Sequence, residues 1–143
     1  MAEIEQAALR LLAIREHTRS ELRRKLQRKF SLQEIEPALD QLAGQNLQSD
    51  ELYTEQYVRM RRGKVDGPVR IQADLLDKGV SELLIAVYID RHDPEWRALA
   101  RKAAEQKFGA SRAAEFREKS RRGRFLEQRG FSMDVIWDYV NGL

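Results

Sequence analysis

Apolar residues recur at helical spacing along the whole chain, in short runs separated by polar turns. Ile4, Ala8, Leu11, Leu12 and Ile14 predict a first helix over residues 4–17. Thr18-Arg19-Ser20-Glu21 has the form of a capping box, in which the hydroxyl serves one orphaned amide and the glutamate reaches back to another. The helix it opens puts Leu22 and Leu26 on one face, with Arg23, Arg24, Lys25, Arg28 and Lys29 around the rest. Ser31-Leu32-Gln33-Glu34 repeats the box, and Phe30 is placed to staple onto Ile35. The third helix runs through Ala38, Leu39 and Leu42 to Gly44, read as the residue just past its end.

The stretch from Asn46 to Ile89 continues the alternation. After a polar turn at residues 45–49, a helix of about thirteen residues presents Leu52, Tyr53, Tyr57 and Met60 and ends at Gly63. Lys64-Val65-Asp66-Gly67 reads as an exposed basic loop. Pro68 then suits the first position of a helix, where its missing N–H costs nothing. Ile71 and Leu75 make that helix's buried stripe, Lys78-Gly79 ends it, and Ser81 caps the next, with Val80 and Ile85 as staple partners. Asp93-Pro94 restarts the pattern as N-cap and first helical residue. The seventh helix buries Trp96, Leu99, Ala100, Ala103 and Phe108 and stops at Gly109. The eighth, predicted from about Ser111 to Arg129, is the longest. Gly130 breaks it, Ser132 caps the ninth, and Phe131 staples to Ile136.

One junction recurs. Leu26 to Phe30, Leu75 to Gly79 and Leu126 to Gly130 superpose without gaps, followed by Ile35, Leu84 and Val135, at a period of about fifty residues. The expected fold is therefore all-α: an elongated, curved array of three tandem three-helix repeats, each like a helix-turn-helix unit. The repeats are expected at residues 1–45, 46–92 and 93–143. In such an array a unit cannot bury its apolar face alone and leans on its neighbour.

Composition narrows the function. Cysteine is absent, which excludes disulfides and thiolate metal sites and suits a reducing compartment. No apolar run approaches the roughly 18–20 residues of a membrane span, and the N-terminus lacks a signal-peptide pattern, so a cytoplasmic protein with no membrane partner is expected. Lys and Arg number 26 against 23 Asp and Glu, a net charge of only +3, so the position of the charge matters more than its amount.

No enzyme constellation is present, and neither a cofactor nor a metal is implied. His17 and His92 sit at helix ends and read as solvated. Acids such as Glu115 fall at ion-pair spacing from bases such as Lys119. The basic clusters remain: Arg23 to Lys29; Arg59, Arg61, Arg62 and Lys64 with Arg70; and Arg117, Lys119, Arg121, Arg122, Arg124 and Arg129. Between Met60 and Ile71 the only acid is Asp66. Arginine predominates, and its planar fork suits phosphate or carboxylate. Such a stripe is the electrostatic footprint of nucleic-acid binding. It suits an acidic protein groove equally, and a scaffold for an acidic partner stays open. Tyr53, Tyr57, Trp96, Phe125, Trp137 and Tyr139 read as core, with Tyr53 the exception available for stacking.

From about Ala7 onward the chain resembles RecX, the family of bacterial regulators of the RecA recombinase. The family's glycine turn and aromatic helix correspond to Gln45-Asn46-Leu47-Gln48-Ser49-Asp50 with Leu52, Tyr53 and Tyr57. Its basic helix end corresponds to Arg59–Arg62, its next helix start to Gly67-Pro68-Val69-Arg70-Ile71, and its helix-ending signature to Asp74-Leu75-Leu76-Asp77-Lys78-Gly79-Val80. Leu11 to Arg15 with Ser20 to Leu26 matches the first unit, and Phe125-Leu126 with Arg129-Gly130-Phe131 the third. Asn46 and Gln48-Ser49 depart from the glycine and acidic residues usual there.

The resemblance implies a non-enzymatic monomer that lies in the groove of the RecA–single-stranded DNA filament, inhibits ATP hydrolysis and strand exchange, and limits filament extension during DNA repair and recombination. Double-stranded DNA is left open as a further partner. Arg59, Arg61, Arg62, Lys64 and Arg70 are expected in the central contact, extended by Arg117, Lys119, Arg121, Arg122 and Arg124. The alternative is a stand-alone DNA-binding helical protein with no dependence on RecA.

Overall fold

The computed structural model describes residues 2–143, and among them the chain forms nine α-helices and no strand. In order these are α1 (Glu3–Ile14), α2 (Arg19–Leu26), α3 (Leu32–Gly44), α4 (Asp50–Gly63), α5 (Pro68–Asp77), α6 (Glu82–Tyr88), α7 (Glu95–Phe108), α8 (Phe116–Gln128) and α9 (Met133–Val140). No helix among the described residues is long and apolar enough to cross a membrane. By packing, the chain divides into two compact units. One comprises Met1–Gln56 with Leu75–Ile85, the other Tyr57–Asp74 with Ala86–Leu143.

In the first unit, both capping boxes close. Thr18 Oγ1 accepts from the Glu21 amide at 3.1 Å while Glu21 Oε1 accepts from the Thr18 amide at 3.0 Å. Ser31 and Glu34 repeat the exchange at the start of α3. Each such cap contributes about 1 kcal/mol by satisfying amides that the helix leaves orphaned. The helices then bury Ile4, Ala8, Leu22, Leu26, Ile35, Ala38, Leu39 and Leu42 in one cluster, with Phe30 packed against it. Helix α1 is shorter than its apolar pattern predicts. Arg15 turns to an extended conformation, and Ile14, in the last turn, is 81% exposed.

His17 corrects an expectation. It is buried rather than solvated, with Nδ1 2.9 Å from the Arg15 carbonyl and Nε2 2.9 Å from Lys25 Nζ. Carbonyl and ammonium together select the neutral ring, with Nδ1–H donating and Nε2 accepting. Burial pushes its pKa below the ordinary value.

The end of α3 also differs from expectation. Gly44 is still helical, and Asn46 takes the left-handed position at φ 59°. The Asn46 amide donates to the Ala43 carbonyl and the Leu47 amide to the Leu42 carbonyl, the paired bonds of a Schellman turn. Asparagine tolerates that backbone better than most residues, which explains why it can stand where glycine is usual. At the end of α5, Gly79 does the same at φ 85°, and its backbone lies so close to Ser20 that a Cβ would collide with the Ser20 side chain. Thr18 Oγ1 donates to the Lys78 carbonyl at 2.7 Å beside it.

In the second unit, α7, α8 and α9 pack on one another. Trp96, Ala100, Ala103, Ala104, Leu126, Val135 and Ile136 are buried, and Phe108 meets Phe125 edge to face at 5.3 Å. Helix α8 is not the longest. Residues 111–115 lie outside it, and the Ser111 carbonyl there accepts from the buried Arg122 guanidinium at 2.7 Å. Glu115 contributes its backbone carbonyl to the Lys119 amide; the carboxylate that pairs along this helix is Glu118.

Candidate functional site

Helix α4 carries the first of the basic residues, and its faces are rotated from those expected. Tyr53, Thr54, Tyr57 and Val58 are buried, whereas Leu52 and Met60 are 44% and 41% exposed. Tyr53 is thus a core residue, not a stacking platform. The aromatic that reaches solvent is Trp137, at 65% exposed, together with Phe116 at the start of α8.

The segment after α4 is not an exposed loop. Val65, Asp66, Gly67 and Pro68 are all buried. Val65 holds the left-handed position of another Schellman turn, at φ 57°, with the Asp66 amide donating to the Arg61 carbonyl. A β-branched residue in that conformation is an outlier and requires the surroundings to over-determine it. The surroundings here are specific. The Gly67 amide donates to the Arg129 carbonyl at 2.7 Å and the Val69 amide to the Gly130 carbonyl at 2.9 Å. Gly130, at φ 93°, lies against the Arg70 backbone, where a Cβ would come within 2.6 Å of the amide nitrogen.

The single acid of this stretch becomes its centre. Asp66 is 1% exposed, and three guanidinium groups converge on it. Arg61 Nη1 is 3.3 Å from Oδ2, Arg129 Nη1 is 3.2 Å from Oδ1, and Arg70 Nη1 is 3.6 Å from Oδ1. Arg61 Nε also donates to the Tyr57 hydroxyl at 3.2 Å, and that hydroxyl donates to Asp74 Oδ2 at 2.9 Å. Burial raises the Tyr57 pKa, keeping the phenol protonated. Arg129 Nη1 further donates to the Lys64 carbonyl at 3.2 Å. Arg62 turns elsewhere, to Glu95 at 2.5 Å, with its guanidinium 4.5 Å from the Trp96 ring centre. Arg59 and Lys64 are exposed.

The basic residues of α8 divide in the same way. Arg122 is buried and structural: it donates to Glu118, to the Ser111 carbonyl and to the Tyr139 hydroxyl. Arg121 is exposed and forks onto both Glu118 oxygens at 3.0 Å. Hydrogen bonds from Arg121, then Arg122, hold the Glu118 carboxyl down to about 2. Lys119 Nζ is 3.5 Å from Asn141 Oδ1. Arg117 and Arg124 are exposed and form no ion pair among the described residues. In the first unit Arg19 and Arg23 share Glu36, which their hydrogen bonds, Arg23's first, hold down to about 2.

Apart from the exposed Arg59 and from Lys119 beside Asn141, the expected site residues are of three kinds. Arg122 holds the fold. Arg61, Arg62, Arg70 and Arg121 face solvent while tied to acids. Lys64, Arg117 and Arg124 are exposed cations without a carboxylate. Arg129, outside the expected central contact, joins it through Asp66. Its position one residue before a left-handed glycine is visible in the chain, but the pairing of two residues so far apart is not. Among the described residues no group of His, Asp or Glu is arranged to hold a metal.

Known proteins resemble this chain along most of its length. Family models of RecX match in order: its first three-helix domain over residues 6–42, its second over 49–87 and its third over 94–140. The regulatory protein RecX of Halorhodospira halophila is 40% identical over 134 residues, covering 93% of this chain and 83% of that protein. The protein of the same name from Pseudomonas putida is 37% identical over 140 residues, covering 97% and 90%. A crystal structure of a regulatory protein RecX superposes with a TM-score of 0.84 at 29% identity, over 97% of this chain and 72% of the other. That of RecX from Lactobacillus salivarius gives 0.75 at 27% identity, over 99% and 94%.

Proposed function

The chain belongs to the RecX family of regulatory proteins, and from that premise we propose that it restrains the RecA recombinase by lying in the groove of the RecA–single-stranded DNA filament, as a cytoplasmic monomer. The observation that carries this is the match to all three family domains in order, spanning residues 6–140 with short gaps. The residues are compatible with it. Exposed cations without carboxylates, Lys64, Arg117 and Arg124, offer contacts to phosphate, whose neutralisation releases counterions and favours binding. Bound there, the protein inhibits ATP hydrolysis and strand exchange and limits filament extension. Three repeats at residues 1–45, 46–92 and 93–143 would each meet the filament.

RecA's DNA-dependent ATPase, titrated with the wild-type chain and with Arg117→Ala/Arg124→Ala and Lys64→Ala, tests this. Wild type is expected to inhibit, and the variants to need several-fold more protein for the same inhibition while melting at an unchanged temperature. Their exposed side chains make no ion pair, so removal should cost the fold within about 0.5 kcal/mol. Absence of inhibition by wild type, alongside salt-sensitive DNA binding, would instead identify a stand-alone DNA-binding protein.

A further inference from the structure

Asp66 is a poor match for its surroundings if its purpose is neutralisation. Three guanidinium groups meet one carboxylate, and Asp74 reaches Arg61 only through the Tyr57 hydroxyl, so the four ion-paired groups keep two positive charges. Each arginine spends little of its donor capacity there. A guanidinium has five N–H donors in a planar fork. Arg70 has no partner among the described residues other than Asp66. Arg61 uses Nε and Nη1 and leaves Nη2, and Arg129 uses Nη1 alone. The side chains are 26%, 44% and 36% exposed for Arg61, Arg70 and Arg129, whereas the carboxylate that gathers them is 1% exposed. The acid is buried, and the three arginines it gathers are partly exposed with donors to spare.

We propose that Asp66 is a positioning residue that gathers Arg61, Arg70 and Arg129 into a binding site for a backbone phosphate of single-stranded DNA. The proposal rests on the DNA-binding reading above and adds the site, the ligand group and two residues that the central contact lacked. Like-charged guanidiniums repel, and without the Asp66 carboxylate no other acid in the cluster would hold three of them together. The backbone is built to the same end. The Gly67 and Val69 amides fix the Arg129–Gly130 turn, and Gly130 lies too close to Arg70 to accommodate a side chain. The cluster thus takes one arginine from α4, one from α5 and one from the end of α8, all within one compact unit. The two-charge surplus suits the single negative charge of a phosphodiester, and planar forks bind its oxygens in pairs.

The test separates this from bulk electrostatics, because the two give opposite signs for one variant. Asp66→Asn adds a positive charge to the protein, so charge alone would tighten DNA binding. Loss of positioning would weaken it. Binding of a labelled oligothymidylate is measured by fluorescence anisotropy across a range of salt, with the full chain as wild type, Asp66→Asn and Arg70→Gln. Asp66→Asn is expected to bind several-fold more weakly than wild type despite its added charge, with helix content retained by circular dichroism. Arg70→Gln is expected to weaken binding and flatten the dependence of log affinity on log salt by about 0.7, one phosphate contact on a single strand. Arg70 is exposed and makes a single long ion pair, so this variant decides the matter where Asp66→Asn fails to fold. Equal or tighter binding by folded Asp66→Asn, or an unchanged salt slope for Arg70→Gln, overturns the phosphate site. Loss of RecA inhibition by Arg70→Gln with DNA binding intact also overturns it and points to an acidic protein group. Failure of wild type to bind the oligonucleotide removes the DNA-binding reading itself.

Discussion

A histidine that donates to the Arg15 carbonyl and accepts from the Lys25 ammonium loses that arrangement when it is protonated. Its new Nε2–H would point at Lys25 Nζ, 2.9 Å away. The folded state therefore holds the His17 pKa below the ordinary 6.5, with burial the leading cause, the Arg15 and Lys25 charges acting in the same direction, and the hydrogen bond to the Arg15 carbonyl and the Glu21 charge opposing them. Above 6.5 both folded and unfolded states are neutral and nothing is lost, while below it the unfolded chain binds the proton first and stability falls. The urea midpoint is expected to drop between about pH 7.5 and pH 5.5, with His17→Gln flattening that dependence. An equal slope in the variant would assign the effect to other groups. Glu36 and Glu118, held at about 2, act in a lower window: their stabilisation is full above 4.5 and is lost as the pH falls towards 2. At this scale the chain alone misleads in a consistent way. Position before a cap does not reveal that His17 is buried. On α4 two apolar stripes run side by side, Leu52 with Met60 and Tyr53 with Tyr57, and only packing selects the second.

Helix ends were readable in part, because capping is local chemistry: Pro94 is the N-cap of α7 rather than its first helical residue, and Ser132 stands before α9 without a side-chain capping bond, its hydroxyl donating to Asp134 instead. Both capping boxes form, and Gly79 and Gly130 terminate their helices with left-handed turns as their positions imply. The ungapped alignment of repeats slips after that turn. Ser31, Ser81 and Ser132 each precede a helix, and the residues four further on, Ile35, Ile85 and Ile136, are all buried. Leu84, aligned with Ile35 by the junction alone, is only half-buried. The second and third repeats hold one residue more there than the first, the room taken by the glycine turn. Two glycines separate these roles by experiment. Gly44 is helical, and a Cβ added to it would meet nothing within 4 Å, so Gly44→Ala should stabilise by up to about 1 kcal/mol through the unfolded state. Gly79→Ala meets both a left-handed backbone and Ser20, and should destabilise by at least roughly 1–2 kcal/mol. Thermal melts of the two variants should move in opposite directions. A loss of stability in Gly44→Ala would return that residue to the turn.

The family's three domains and the two packing units do not coincide, and the second domain is where they differ. Its buried residues are divided: Tyr57, Val58, Val65 and Ile71 belong to the unit containing residues 86–143, while Leu75, Val80 and Ile85 belong to the unit containing residues 1–56. The first domain is otherwise. Its cluster, Ile4 through Leu42, comes wholly from residues 4–42. Periodicity made both domains legible as three-helix repeats, since each repeats caps and apolar faces. It could not show which of them closes a core from its own residues, because that depends on contacts between distant positions such as Gly67 and Arg129. Cooperativity should follow the cores rather than the repeats. A helix without its tertiary partners is marginal at the lengths found here, below about fifteen residues. A peptide of residues 46–92 is thus expected to show little helix and no melting transition by circular dichroism, and a peptide of residues 1–45 to retain more of both. A sharp transition in the 46–92 peptide would mean that the second repeat closes a core of its own, against the division of its buried residues.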